Sequence, residues 1–147
     1  MSQMINTLMQ LQRLRDLSVK DSTVKLAQQK QLGIRFDNNI KALGHLIQKT
    51  DACELTNPSA EVLKNVAGYK GSLQRVIEWQ KQEKTLAKIK ENRLQKNLVK
   101  ATCEEKIVAM MLDDRREIDV REQDVREQKV LNEVAIQCWL RQRQNRC

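Results

Sequence analysis

The side chains that do most protein chemistry are few and scattered in this sequence. There is one histidine, His45, and there are four cysteines, Cys53, Cys103, Cys138 and Cys147. General acid–base work needs titratable groups that converge in a pocket. His45 falls in the middle of a predicted helix, at a surface or seam-edge position. The 19 acidic residues alternate with Lys and Arg along helix faces, where they pair charges. No glycine-rich loop is present to cradle a phosphate. No cysteine lies within four residues of another, so there is no CxxC-type knuckle for zinc. The sequence therefore implies no catalytic residue, no cofactor, no metal site and no enzymatic activity. Thiols spread this widely along helices read as reduced cysteines of a cytosolic protein.

Binding chemistry is concentrated near the C-terminus. Val130, Leu131, Val134, Cys138 and Trp139 make an apolar stripe, followed by Arg141, Arg143 and Arg146. Trp and Arg together are typical of interaction hot spots. Such a stripe suits a helix laid in a groove or inserted into a protein ring; the alternative is two such ends pairing in a dimer. The net charge of +8, from 27 basic and 19 acidic residues, favours an acidic partner: a protein face, anionic lipid or nucleic acid. Acidic residues are mixed with the basic ones over most of the chain, and aromatic residues are only 3%, too few for base stacking. A basic nucleic-acid-binding coiled coil is thus the alternative from another class, and no nucleic acid is the expectation.

These side chains must be carried by long helices. Four Gly and one Pro in 147 residues leave little material for turns, and a sheet protein of this length would need far more. With 31% charged residues and a mean hydropathy of −0.64, extended helices fit better than a globule. A first helix is expected over about residues 2–51. Met1, Met4, Leu8 and Leu11 open it, and Phe36, Ile40, Leu43 and Ile47 close it, each set with the four-three rhythm of a coiled-coil stripe. Leu14, Leu17 and Val24 lie between them in a shifted register, which predicts a local change of supercoil. Gly33 and Gly44 mark either close approach of a partner helix or flexible points.

A turn is expected over about residues 52–58. Pro58 pushes Asn57 out of helical geometry, and Asn57 can cap the next helix with Pro58 in its first position. The second helix, about residues 59–143, opens with Val62, Val66, Tyr69, Leu73 and Val76 as its seam, which should meet Phe36 to Ile47. Leu94, Leu98, Ala101, Val108 and Leu112 continue it. The helices would span roughly 75 and 130 Å at 1.5 Å per residue. Pairing outward from the turn, the first runs out near residues 105–110 of the second. Beyond that lies Asp113 to Lys129, twelve charges in seventeen residues. The i,i+4 pairs Glu117–Arg121 and Glu122–Arg126 would support a lone helix there. The fold class is all-α: two long helices in one antiparallel coiled-coil hairpin domain, the second overhanging the first. The start lacks the pattern of a signal peptide, and no apolar run is long enough for a membrane span.

LQRLRDLSVKDSTVKLAQQ near the start, NVAGYKGSLQRVIEWQ after the turn and VREQKVLNEVAIQ near the end resemble the flagellar export protein FliJ family, with order and spacing kept over most of the chain. The resemblance implies a component of the flagellar type III export apparatus, needed for flagellum assembly and hence for motility and chemotaxis. It implies a stalk-like coiled coil on the cytoplasmic side of the inner membrane at the flagellar base. Its implied partners are the hexameric export ATPase, the cytoplasmic part of the transmembrane export gate, and export chaperones, whose recycling it assists. The family's gate-contacting positions fall on Tyr69, Leu73, Val76 and Gln80, and on Ala42, Leu46, Lys49 and Cys53, of which Leu46 keeps the family's residue on the first helix. Contact with the ATPase ring is expected from the end carrying both termini, at Leu8, Leu11, Arg13, Trp139 and Arg143. The stalk protein of a virulence-type injectisome is the alternative of the same class.

Overall fold

The computed structural model describes residues 2–56 and 59–146. They form two helices, α1 (Ser2–Thr56) and α2 (Ala60–Asn145). Both are rich in Leu, Gln, Lys, Arg, Glu and Ala, whose unbranched or minimal side chains lose little freedom in a helix, and neither contains proline. The start of α2 is set by Ser59. Its Oγ accepts a hydrogen bond from the Val62 N–H at 3.3 Å, and its carbonyl accepts the Leu63 N–H at 3.0 Å. This is N-cap geometry. Glu61 in the first turn adds a favourable charge at the positive end of the helix dipole. The expected cap, Asn57, and the expected first residue, Pro58, lie outside the described residues. The capping role falls to Ser59, and α1 continues to Thr56 instead of ending near Asp51.

The chain divides into two units, Met1–Leu17 with Thr102–Cys147, and Ser18–Ala101. In the second unit Gln29 Nε2 donates to the Ala87 carbonyl at 3.0 Å, Asp37 pairs with Lys84, Asn39 meets Gln80 and Asp51 pairs with Lys70. As the α1 number rises from 29 to 51, its partner on α2 falls from 87 to 70, which is the register of an antiparallel hairpin. In the first unit Arg15 and Glu104 form a 2.8 Å ion pair, and Leu8 shares a cleft with Arg115.

Shelter from solvent follows one spacing. In the second unit it falls at α1 positions 19, 22, 26, 29, 33, 36, 40, 43, 47 and 50, and at α2 positions 66, 70, 73, 77, 80, 87, 91, 94, 98 and 101. In the first unit the same four-three steps run through 5, 8, 12 and 15, and through 105, 108, 112, 115, 119 and 122. This repeat keeps a stripe facing its partner. The expected register shift is absent. Leu14, Leu17 and Val24 are exposed, and Gln12, Arg15, Ser22 and Gln29 hold the seam positions instead. On α2 Val66 and Leu73 are sheltered as expected, but Tyr69 is 49% and Val76 40% exposed. Lys70 and Ile77 take the seam in their place. A lysine fits there because its stem packs while its ammonium reaches Asp51 at the edge. Gly33 and Gly44 are not close approaches, since a Cβ on either would meet nothing within 4 Å.

Pairing also runs further than expected. Leu112, 2% exposed, is deep in the seam, and among the described residues the last sheltered one is Glu122. In the first unit Arg15 pairs with Glu104 and Leu8 meets Arg115, so the first residues of α1 fall level with about residues 115–120 of α2. From 123 to 145 every residue of α2 is exposed. Glu117 and Arg121 pair at 2.8 Å. Glu122 does not pair with Arg126; its Oε2 is buried without a hydrogen-bond partner.

Candidate protein-binding surfaces

Three surfaces carry the residues singled out by the sequence. The first is the exposed end of α2. At 100° per residue, Val130, Val134, Cys138 and Leu131 cover one side of the helix, Trp139 lies beyond them, and Ile136 and Leu140 reach the far side, where Asn132, Glu133 and Gln137 also lie. All of the large apolar residues among them are exposed. Apolar side chains spread over several sides of one exposed helix favour a partner that covers more than one face. The Trp139 ring is 56% exposed, and the Arg143 guanidinium carbon sits 5.3 Å from its centroid. That cation–π contact holds the indole against the helix one turn from the basic tip. Ile136 and Leu140 were missed in the sequence because they lie off the stripe; they matter once no intramolecular partner covers the other faces.

The second group is Leu8, Leu11 and Arg13. Leu8 is buried in the seam, Leu11 is half-buried, and Arg13 is exposed. The fold does not bring them to Trp139 and Arg143. Leu8 packs at the level of Arg115, and Trp139 lies about 36 Å further along α2 at 1.5 Å per residue. The expected ring-contact set therefore splits, with Leu8 committed to holding the hairpin together.

The third surface lies on the second unit. Leu46 precedes the seam residue Ile47, Tyr69 precedes Lys70, and Val76 precedes Ile77. Residues at this repeat position share one flank of an antiparallel pair. The Asn39–Gln80 and Asp51–Lys70 contacts put Leu46 level with the span from Tyr69 to Val76. All three side chains are exposed, and Trp79 extends the apolar surface outward. Leu73 and Gln80 are instead buried in the seam, where Gln80 Oε1 lies 3.5 Å from Asn39 Nδ2. Ala42, Lys49 and Cys53 are exposed on α1.

Among the described residues no group of His, Cys, Asp and Glu could hold a metal, and no helix is long and apolar enough to cross a membrane. Cys53, Cys103 and Cys138 are exposed and not disulfide-bonded; Cys147 lies outside the described residues.

A two-helix seam shared by apolar and polar residues, with many large apolar side chains left outside it, defines an all-α helical hairpin. The family model of the flagellar FliJ protein matches residues 4–144. The chain belongs to the FliJ family and is a coiled-coil protein related to flagellar export. Comparison with curated proteins and with solved structures gave no match.

Proposed function

We propose that this protein is a stalk of the flagellar export machinery, acting by binding and without catalysis of its own. Its ring-binding element is the exposed end of α2. The observation that carries this reading is the set of large apolar side chains from Val130 to Leu140, which have no partner among the described residues of the hairpin. A hexameric export ATPase supplies a central opening in which a helix can be touched on all sides. Trp139 and Arg143 are the anchor, and Arg13 adds an exposed charge further up. Leu46, Tyr69 and Val76 are the contact for the cytoplasmic part of the export gate. Leu73 and Gln80 support that flank from beneath. Export chaperones are further partners, and the protein works on the cytoplasmic side of the inner membrane.

The test is a pull-down of the flagellar export ATPase with the full-length chain, followed by sizing of the ATPase with and without it. The expected result is stable capture and more hexamer. Trp139→Ala should lose capture while keeping full helicity, because its ring contact is with Arg143 of the same exposed helix end and not with α1. Equal capture by Trp139→Ala, or no capture by the parent chain, overturns the reading. Binding to duplex DNA with a steep salt dependence, in place of ATPase capture, would favour a nucleic-acid-binding coiled coil instead.

A further inference from the structure

The net charge of the chain is segregated by the fold. The unit Ser18–Ala101 contains 16 basic and 8 acidic residues, so it carries the whole +8, while the other unit contains 11 of each. Within the charged unit the excess is concentrated again. Residues 19–39 and 80–100, brought alongside by the Gln29–Ala87 and Asp37–Lys84 contacts, hold 11 basic and 4 acidic residues. Crowding like charges on two paired helices destabilises the pair unless something offsets it.

One trough collects this charge around apolar walls. It has a volume of about 870 Å³ and is lined from both α1 and α2, with Gly33, Ile34 and Ile89 among its residues. Lys30, Lys81, Lys84 and Lys88 rim it together with Asp37 and Glu91. Lys84 pairs with Asp37 and Lys88 with Glu91. Lys30 and Lys81 make no ion pair with another described residue. Ile34 and Ile89 are both about half exposed. Seam position 33 has no side chain, so the trough is open where a coiled coil would otherwise be filled.

We infer that this trough binds an acidic amphipathic helix of another protein. The opening from Lys81 to Glu91 is about 15 Å long at 1.5 Å per residue, close to three helical turns. Apolar residues at i, i+3 and i+4 of the incoming helix fill the space above Gly33, between Ile34 and Ile89. Its flanking Asp and Glu meet Lys30 and Lys81. A nucleic acid fits poorly, because the trough has apolar walls and no aromatic residue to stack on a base. An anionic membrane fits poorly as well, because a flat layer of headgroups cannot follow a trough set between two helices. The trough lies on the flank opposite Leu46, Tyr69 and Val76: Lys30, Asp37, Lys81 and Lys88 each follow a seam position, where those three precede one. The inference therefore stands whether or not that flank meets the export gate.

The probe is a fluorescein-labelled 18-residue synthetic peptide with Leu at helical i, i+3, i+4, i+7 spacing and Glu elsewhere. Its control has the same composition in shuffled order. Anisotropy titration of the full-length protein should show at least tenfold tighter binding of the patterned peptide. Gly33→Leu fills the trough into open space, so helicity is kept, and it should weaken binding at least tenfold. Lys30→Glu with Lys81→Glu should do the same, while Tyr69→Ala on the other flank leaves binding unchanged. Equal affinity for the shuffled peptide, or unchanged binding by Gly33→Leu, overturns the inference. So does stronger binding to phosphatidylserine vesicles or duplex DNA than to the patterned peptide. Sedimentation velocity showing a dimer that Gly33→Leu dissolves would assign the trough to a second copy and overturn it too.

Discussion

Leu112 and Met111 are neighbours in sequence and opposites in environment, and truncating each to alanine tests the seam frame directly. Leu112 is 2% exposed, and Met111 is half exposed. Leu→Ala removes three buried carbons, which at about 0.8 kcal/mol per methylene is a loss of about 2.4 kcal/mol. In globular cores a residual cavity raises such losses toward 5 kcal/mol. A two-helix seam is open at its edges and can close over the gap, so the lower figure applies here: about 2–3 kcal/mol for Leu112→Ala. Met111→Ala gives up little buried surface and gains helix propensity, so its change should stay within about 0.5 kcal/mol. Urea unfolding followed by circular dichroism at 222 nm measures both. Equal losses at the two positions, or a loss below about 1 kcal/mol for Leu112→Ala, would refute the frame at this layer.

Three other perturbations follow from the same packing. The Arg15–Glu104 pair is about two-fifths exposed on both sides, so a double-mutant cycle should give a coupling of about 0.5–1 kcal/mol that shrinks in 0.5 M salt. Gln29→Leu should raise the urea midpoint, by about 1 kcal/mol of stability, because an apolar side chain replaces a buried amide whose acceptor, the Ala87 carbonyl, lies within a helix and keeps its own ladder bond; a lower midpoint would show that the amide is needed for packing. Ser59→Ala removes the α2 cap and should cost about 1 kcal/mol, with faster amide exchange confined to residues 60–66.

The hairpin is legible in the sequence because scarcity of glycine and proline leaves nowhere else to turn. Its register is not, because polar residues hold many seam positions. Gln12, Arg15, Ser22 and Gln29 occupy the stripe, while Leu14, Leu17 and Val24 face water, so a hydrophobic pattern reports a phase shift that the helices do not make. A thin seam tolerates this: amide and ammonium groups reach its edges, as Lys70 does. Tyr69 and Val76 were misplaced for the same reason, being one residue from the true positions. The apolar end of α2 was legible through Trp139, but its completeness was not, since Ile136 and Leu140 gain meaning only from the lack of a covering helix. The charged trough was illegible for a different reason. Its two halves lie some fifty residues apart, each mixed in sign, and only antiparallel pairing adds them together.

Hydrogen–deuterium exchange along α2, with the full-length protein alone and then with the flagellar export ATPase, tests the central claim most directly. Alone, amides of Leu73 to Glu122 should be protected and those of residues 124–145 should exchange much faster. Added ATPase should slow exchange over residues 130–143 and leave the seam unchanged. Slow exchange to the end of α2 in the free protein would mean that the extension is already covered. Protection appearing elsewhere while residues 130–143 stay fast would contradict their role as the ring-binding element.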